Sequence, residues 1–270
     1  MEELNLRAPA KLNLHLEVLR KRDDGFHDIS SLFTLIDLCD SLNFKKNKHD
    51  IELVESTPIK NNIVYEAANL LKETYSIKQG VRIELIKSIP DQMGLGGGSS
   101  DAASTLIGLI KFWNLSLTDH ELIDIALKLG SDVPFFVYGK TAWAEGRGEI
   151  LTEYSYKDRY FLLLFPEIKI STKFAFEEAE MNLSTKVTIE NFKTNKARNS
   201  FEVWARKAYP EIDEAFINLE SIGFPRLSGT GSTIFVEFDN LRDAKLAQSK
   251  YPNLVLTKSL ERSPLMQIIE

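Results

Sequence analysis

The sequence predicts an α+β chain of two domains. Strand-like and helix-like segments interleave along its whole length, which is the pattern of α+β architecture. Its 270 residues, 43% hydrophobic and 27% charged, suffice for one large core or two modest ones. Its character also shifts after Pro166, and a boundary is expected near Ser155–Arg159, giving domains over residues 1–157 and 158–270.

The elements follow in order. The first forty residues read as strands, with Leu4–Leu6 and Lys11–Val18 alternating polar and apolar residues at period two, and Asp23-Asp24-Gly25 reads as a turn. Ile51–Val54 and Val81–Ile86 are further strands, with a helix over Ile63–Tyr75 between them. Ser99–Trp113 has helical periodicity and begins directly after a run of glycines. Thr118 and Glu121 form a capping box that starts a helix ending near Leu129, where Gly130 supplies the stop. Thr141–Glu145 and Phe161–Phe165 return to strand. Ile168–Val187 is mixed and Thr188–Phe192 is short, whereas Glu202–Leu219 reads as one amphipathic helix. Thr233–Phe238 alternates as a strand and Leu241–Ser249 follows as a helix.

Several function classes fall away on composition. A net charge of −6 disfavours a nucleic-acid binder, which needs a basic surface against phosphates, yet leaves room for a single nucleotide. Cys39 is the only cysteine, so neither an internal disulfide nor a cysteine-built zinc site is possible. His15, His27, His49 and His120 are too scattered for a zinc site, and no metal site is expected from side-chain clusters. The acidic start at Met1-Glu2-Glu3 is unlike a secretory signal, and no apolar run approaches a membrane span. A cytoplasmic protein, monomer or homodimer, without membrane or nucleic-acid partners, is the expectation. No repeat of solenoid length is present.

The strongest local signal is Pro90-Asp91-Gln92-Met93-Gly94-Leu95-Gly96-Gly97-Gly98-Ser99-Ser100, set between a strand and a helix. Glycines open positive φ and leave no Cβ to block a close ligand. The helix start adds free amides and the positive end of its dipole, and the serines add hydroxyls, one of which can touch a metal ion. This is a phosphate cradle, or else a flexible turn before a serine-capped helix. It is neither the Walker loop nor the protein-kinase loop, and it lacks the first-strand setting of a dinucleotide fold.

Gly-Leu-Gly-Gly-Gly-Ser-Ser-Asp-Ala-Ala (94–103) resembles the phosphate loop of the GHMP kinases. Three further blocks agree in order and spacing: Ala8–Leu14 with Asp24-Gly25-Phe26-His27, then Gly130–Phe136 with Ala142–Glu149, then Ser228–Ser232. Together they reach from residue 8 to residue 232 and are similar to the branch acting on a cytidyl diphosphate ester of methylerythritol. The chain departs from the branch at Asp91-Gln92-Met93, where small residues are usual, and at Phe26, where tyrosine is usual.

The resemblance implies an amino-terminal domain like the second domain of ribosomal protein S5 and a ferredoxin-like carboxy-terminal domain. It implies transfer of the ATP γ-phosphoryl group, with Mg2+, to the 2-hydroxyl of that ester in non-mevalonate isoprenoid synthesis. By it, Lys11 and Asp132 are catalytic, the one offsetting phosphoryl charge and the other taking or orienting the hydroxyl proton. Pro90, Gly94, Leu95, Gly96, Gly97, Gly98, Ser99 and Ser100 would hold the phosphates, with Asn62 and Lys87 near the adenosine. His27 would bond the cytosine edge between Phe26 and Phe176, while Asn13 and Thr172 contact the sugar alcohol or phosphates. The local pattern offers plainer alternatives. Asp132 before Val133-Pro134 can simply cap a helix, Lys11 can be a surface residue on its strand, Phe26 and Phe176 can be core, and His27 can be a turn residue. Mevalonate-type or homoserine-type kinases and a non-catalytic nucleotide binder are the rival functions.

Overall fold

The structure is a computed structural model and describes residues 1–178, 187–192 and 197–269. Two long antiparallel strands organise it: β1 (Glu3–Lys21) and β2 (His27–Asn47), paired along their length. Pro9 has no N–H to give the ladder, and there the register slips, so that Pro9 faces Cys39 while Ala10 faces Ile36. The remaining alternation sends Ala10, Leu12 and Leu14 into one hydrophobic cluster, with Lys11 and Asn13 turned to the opposite face.

β2 begins within the first forty residues read as strands, and it lacks clear alternation because both of its faces are covered over most of its length. It pairs with β4 (Gly80–Ile86), with β5 (Ala142–Gly146) and, through Leu35 and Ile36, with β10 (Val255–Leu260). β3 (Ile51–Glu55) lies parallel to β4, and β6 (Ile150–Glu153) forms a hairpin with β5. Beyond β10 come β7 (Tyr160–Leu164), β9 (Ile234–Phe238) and β8 (Pro225–Leu227). This makes a two-domain α+β fold in which one mixed sheet runs through both halves.

Helices cover the sheet. α1 (Ile63–Thr74) starts where Asn62 accepts the Val64 N–H at 2.9 Å, and it buries Val64, Ala67, Ala68 and Leu71 on one face. α2 (Gly97–Phe112) is buried nearly throughout. α3 (Asp119–Leu129) carries the expected capping box, and Gly130 ends it in an extended conformation. α4 (Val133–Tyr138) follows with Pro134 in its first turn. α5 (Thr172–Glu178) lies in the stretch read as mixed, whose residues 179–186 fall outside the described ones.

The single helix expected over Glu202–Leu219 is two, α6 (Glu202–Ala208) and α7 (Pro210–Leu219), because Pro210 cannot donate and Tyr209 before it is extended. α8 (Leu241–Lys250) packs on β7, β9 and β10. The chain then returns through β10 to the first half, where α9 (Met266–Ile269) meets α2.

Candidate active site

A cleft of about 710 Å³ opens between the two halves, and every site residue named from the sequence lines it except Asn62 and Ser100. The glycine segment forms one wall. Gly94 and Gly96 stand at φ 75° and 68°, and a Cβ on Gly94 would lie 2.0 Å from the Ser228 carbonyl oxygen, so no other residue fits there without rearrangement. Gly96 is the N-cap of α2, with no side chain bonding the free amides and no acidic residue in the first turn. The positive end of a sixteen-residue helix is therefore left for an anion in the cleft.

Lys11 lies against this wall. Its N–H donates to the Leu95 carbonyl at 3.0 Å, and its Cε is 3.2 Å from where a Cβ on Gly96 would sit. The residue is only 4% exposed, which removes the surface-lysine alternative. Nζ donates to Asn13 Oδ1, stands 3.7 Å from Asp132 Oδ2 and lies over the Phe33 ring. Burial pulls the Lys11 ammonium below the ordinary lysine value, and the neighbouring Asp132 opposes that pull.

Asp132 begins α4 yet makes no side-chain capping bond. Its carboxylate is one third exposed and faces the cleft, so the capping alternative falls too. Ser99 lines the cleft near Gly130, whereas the Ser100 hydroxyl is buried and donates to the Pro9 carbonyl at 2.7 Å. Asn62 is occupied in capping α1.

Beneath the loop, Lys87 Nζ reaches two buried carboxylates, Asp40 at 2.5 Å and Asp101 at 2.7 Å. Asp40 also accepts the Ser88 and Ile89 N–H groups, which fixes the approach to the loop. Burial pushes the Asp101 carboxyl up to about 7, with Lys87 opposing. Burial would also pull Lys87 down, but Asp101 and Asp40 outweigh it and hold the ammonium above its ordinary value.

The loop entrance is tied to the second half. Ile170 N–H donates to the Gln92 carbonyl and Thr233 N–H to that of Met93, both at 3.3 Å. The Ser228 hydroxyl accepts the Asn13 N–H at 3.2 Å and donates to the Gly94 carbonyl at 2.9 Å. One buried hydroxyl thus joins the strand of Lys11 to the glycine loop.

At the far end of the cleft, His27 stacks on Phe176 with ring centres 4.8 Å apart, and Phe176 meets Phe201 edge-on. Burial and the nearby Lys21 hold His27 below the ordinary histidine value, which favours the neutral ring with its one donor and one acceptor. Phe26 is 47% exposed, and Thr172 opens α5 at the rim.

The chain as a whole is similar to known proteins. The family model for the GHMP kinases N terminal domain matches residues 62–140, and that for GHMP kinases C terminal matches residues 188–255. The 4-diphosphocytidyl-2-C-methyl-D-erythritol kinase of Polynucleobacter necessarius is 38% identical, over 100% of this chain and 97% of its own. The chain belongs to this branch of the GHMP kinases. The enzyme of the same name from Acinetobacter baumannii is 36% identical over 97% of both chains. A crystal structure of 4-(cytidine 5'-diphospho)-2C-methyl-D-erythritol kinase superposes with TM-score 0.85 at 29% identity, covering 95% of this chain and 99% of that one. Homoserine kinase from Cytophaga hutchinsonii, at 15% identity and TM-score 0.72 over 97% of this chain and 96% of its own, shares the fold.

As a GHMP kinase the chain is an ATP-dependent phosphotransferase. Sequence reasoning passed over Arg147, Lys21 and Lys173, which also line the cleft, and the buried pair Asp40 and Asp101. Arg147 and Asp101 lie inside motif blocks and were legible as such. Nothing local marks Asp40.

Proposed function

We propose that the chain transfers the ATP γ-phosphoryl group to the 2-hydroxyl of 4-diphosphocytidyl-2-C-methyl-D-erythritol, giving the 2-phosphate and ADP in the cytoplasmic non-mevalonate route to isoprenoids. The observation that carries this reading is the Lys11–Asp132 pair, 3.7 Å apart in a cleft bordered by the glycine segment.

Phosphoryl transfer asks a protein for position and charge more than for covalent chemistry. The α2 start and the Gly94–Ser99 backbone hold the triphosphate. Lys11 offsets charge on the transferred group, and Asp132 accepts or orients the proton of the attacking hydroxyl. Asn13 fixes the Lys11 ammonium and meets the sugar alcohol with Thr172. His27 reads the cytosine edge, and Phe26 and Phe176 stack on the base. Residues 1–157 form the domain carrying ATP and the catalytic pair, and residues 158–270 complete the substrate side.

Magnesium belongs to the same reading. The ion would be held mainly by phosphate oxygens and water. Ser99 and Asp132, which line the cleft, would be the side chains to hold such an ion, which would neutralise phosphate charge.

The test is incubation with ATP, magnesium and the cytidyl ester, followed by phosphorus NMR and ADP release, beside mevalonate and homoserine. A new phosphomonoester from the cytidyl ester alone supports the reading. Turnover of either other alcohol, or of none, rejects it.

A further inference from the structure

Phosphoryl transfer makes no use of the hairpin tip Gly146-Arg147-Gly148-Glu149, yet Arg147 reaches the His27 end of the cleft. The tip is built to hold that arginine. Gly146 and Gly148 stand at φ 68° and 117°, and the turn folds Glu149 back over Gly146, where a Cβ would lie 2.7 Å from Glu149 Oε2. That carboxylate accepts the Arg147 N–H at 2.5 Å and stands 3.9 Å from Arg147 Nε. The guanidinium then lies over the Phe26 ring, 4.4 Å from its centre.

Phe26 sits on the opposite turn, between β1 and β2, and its backbone is already fixed. Its N–H donates to Asp24 Oδ1 at 3.1 Å and its carbonyl accepts the Arg22 N–H at 2.8 Å, while Arg22 is itself paired with Asp24 and Asp28. The ring, 47% exposed, is the part left to be ordered. Freezing a free aromatic rotamer on binding weakens a ligand, and holding it beforehand recovers that loss. A guanidinium stacked on one face does this while leaving the other face for a base.

We propose that Arg147, held by Glu149, is a positioning residue that orders Phe26 for the cytosine of the substrate. The inference rests on the preceding reading that Phe26 stacks on the base. A cation–π contact on a half-exposed ring corresponds to roughly a two- to fivefold effect on binding.

The experiment is a double-mutant cycle on steady-state kinetics, with melting curves showing that each variant is folded. Arg147→Met keeps the apolar stem and should raise the KM for the cytidyl ester roughly two- to fivefold, with the KM for ATP unmoved. In a Phe26→Leu background the same change should add nothing, and Arg147→Lys should restore part of the loss. An equal loss in both backgrounds would mean that Arg147 touches the ester directly, and would overturn the proposal. So would an unchanged KM, or a parallel rise for ATP. If the wild-type protein turns over no cytidyl ester, the functional reading fails and this inference falls with it.

Discussion

Lys11 illustrates how little a single position declares about itself. On an alternating strand it reads as a solvent-facing lysine, but the register slip at Pro9 and the pairing with β2 put it at 4% exposure beside Asp132. A buried ammonium is costly unless paired, so function rather than stability explains its presence. Lys11→Met and Asp132→Asn should each lower turnover by roughly 10²–10⁴-fold while ADP affinity, followed by calorimetry, changes little. Lys11→Met should melt no lower than the wild type, since an apolar side chain replaces a desolvated charge. Wild-type turnover in either variant would remove the catalytic assignment.

His15 poses a different question at the same scale. Its Nδ1 accepts the Arg198 N–H at 3.2 Å, which places the proton on Nε2, buried between Trp143 and Phe192 and 3.9 Å from Glu17. Burial pulls its pKa from 6.5 to about 4, against the attraction of Glu17. Between those values the unfolded chain binds the proton and the native one does not. Stability present above pH 6.5 is therefore lost as pH falls toward 4, by roughly 3 kcal/mol at the limit. Urea titrations at pH 7 and pH 5 should show a smaller drop for His15→Gln than for the wild type, and equal drops would refute the assignment.

Among the elements, the loop–helix junction was the most legible and the second half the least. Its glycines and its place between strand and helix are local facts, because positive φ and free helix amides are properties of a few consecutive residues. Gly94→Ala should destabilise by about 1–3 kcal/mol, since it forces a side chain into left-handed backbone against the Ser228 carbonyl. If the glycine segment holds the triphosphate as proposed, Gly94→Ala should also raise the KM for ATP more than that for the cytidyl ester, and kinetics with each substrate varied in turn would check this. The capping box at Thr118 is equally local and stands as read. The break at Pro210 was also written in the chain, but a continuous apolar stripe across Glu202–Leu219 masked it. Asp132 shows the converse, for its sequence signature is that of a cap and only the fold reveals a side chain that makes no capping bond and faces Lys11 in the cleft.

At the level of the whole molecule, β10 joins the halves by pairing with β7 through residues 255–258 and with β2 through Ser259 and Leu260. Asp37, skipped in the β1–β2 register, secures it by accepting the Thr257 hydroxyl and, at 3.0 Å, the Lys258 N–H. Asp37→Ala leaves both donors without their acceptor and should cost about 1–3 kcal/mol, lowering the melting temperature by several degrees. It should also raise the KM for both substrates, because the cleft is built from both halves; a scanning calorimetry trace and kinetics superposable on the wild type would refute this coupling. The sequence by itself determined the α+β class, the glycine loop before its helix, the caps and the family motifs, since each is encoded in neighbours along the chain. Only the tertiary structure decided that Lys11 is buried, that Asp132 is uncapped and near it, that Arg147 lies over Phe26, and that the last strand ties the halves together. Those contacts depend on strand register and packing between segments far apart in the chain, which no local pattern specifies.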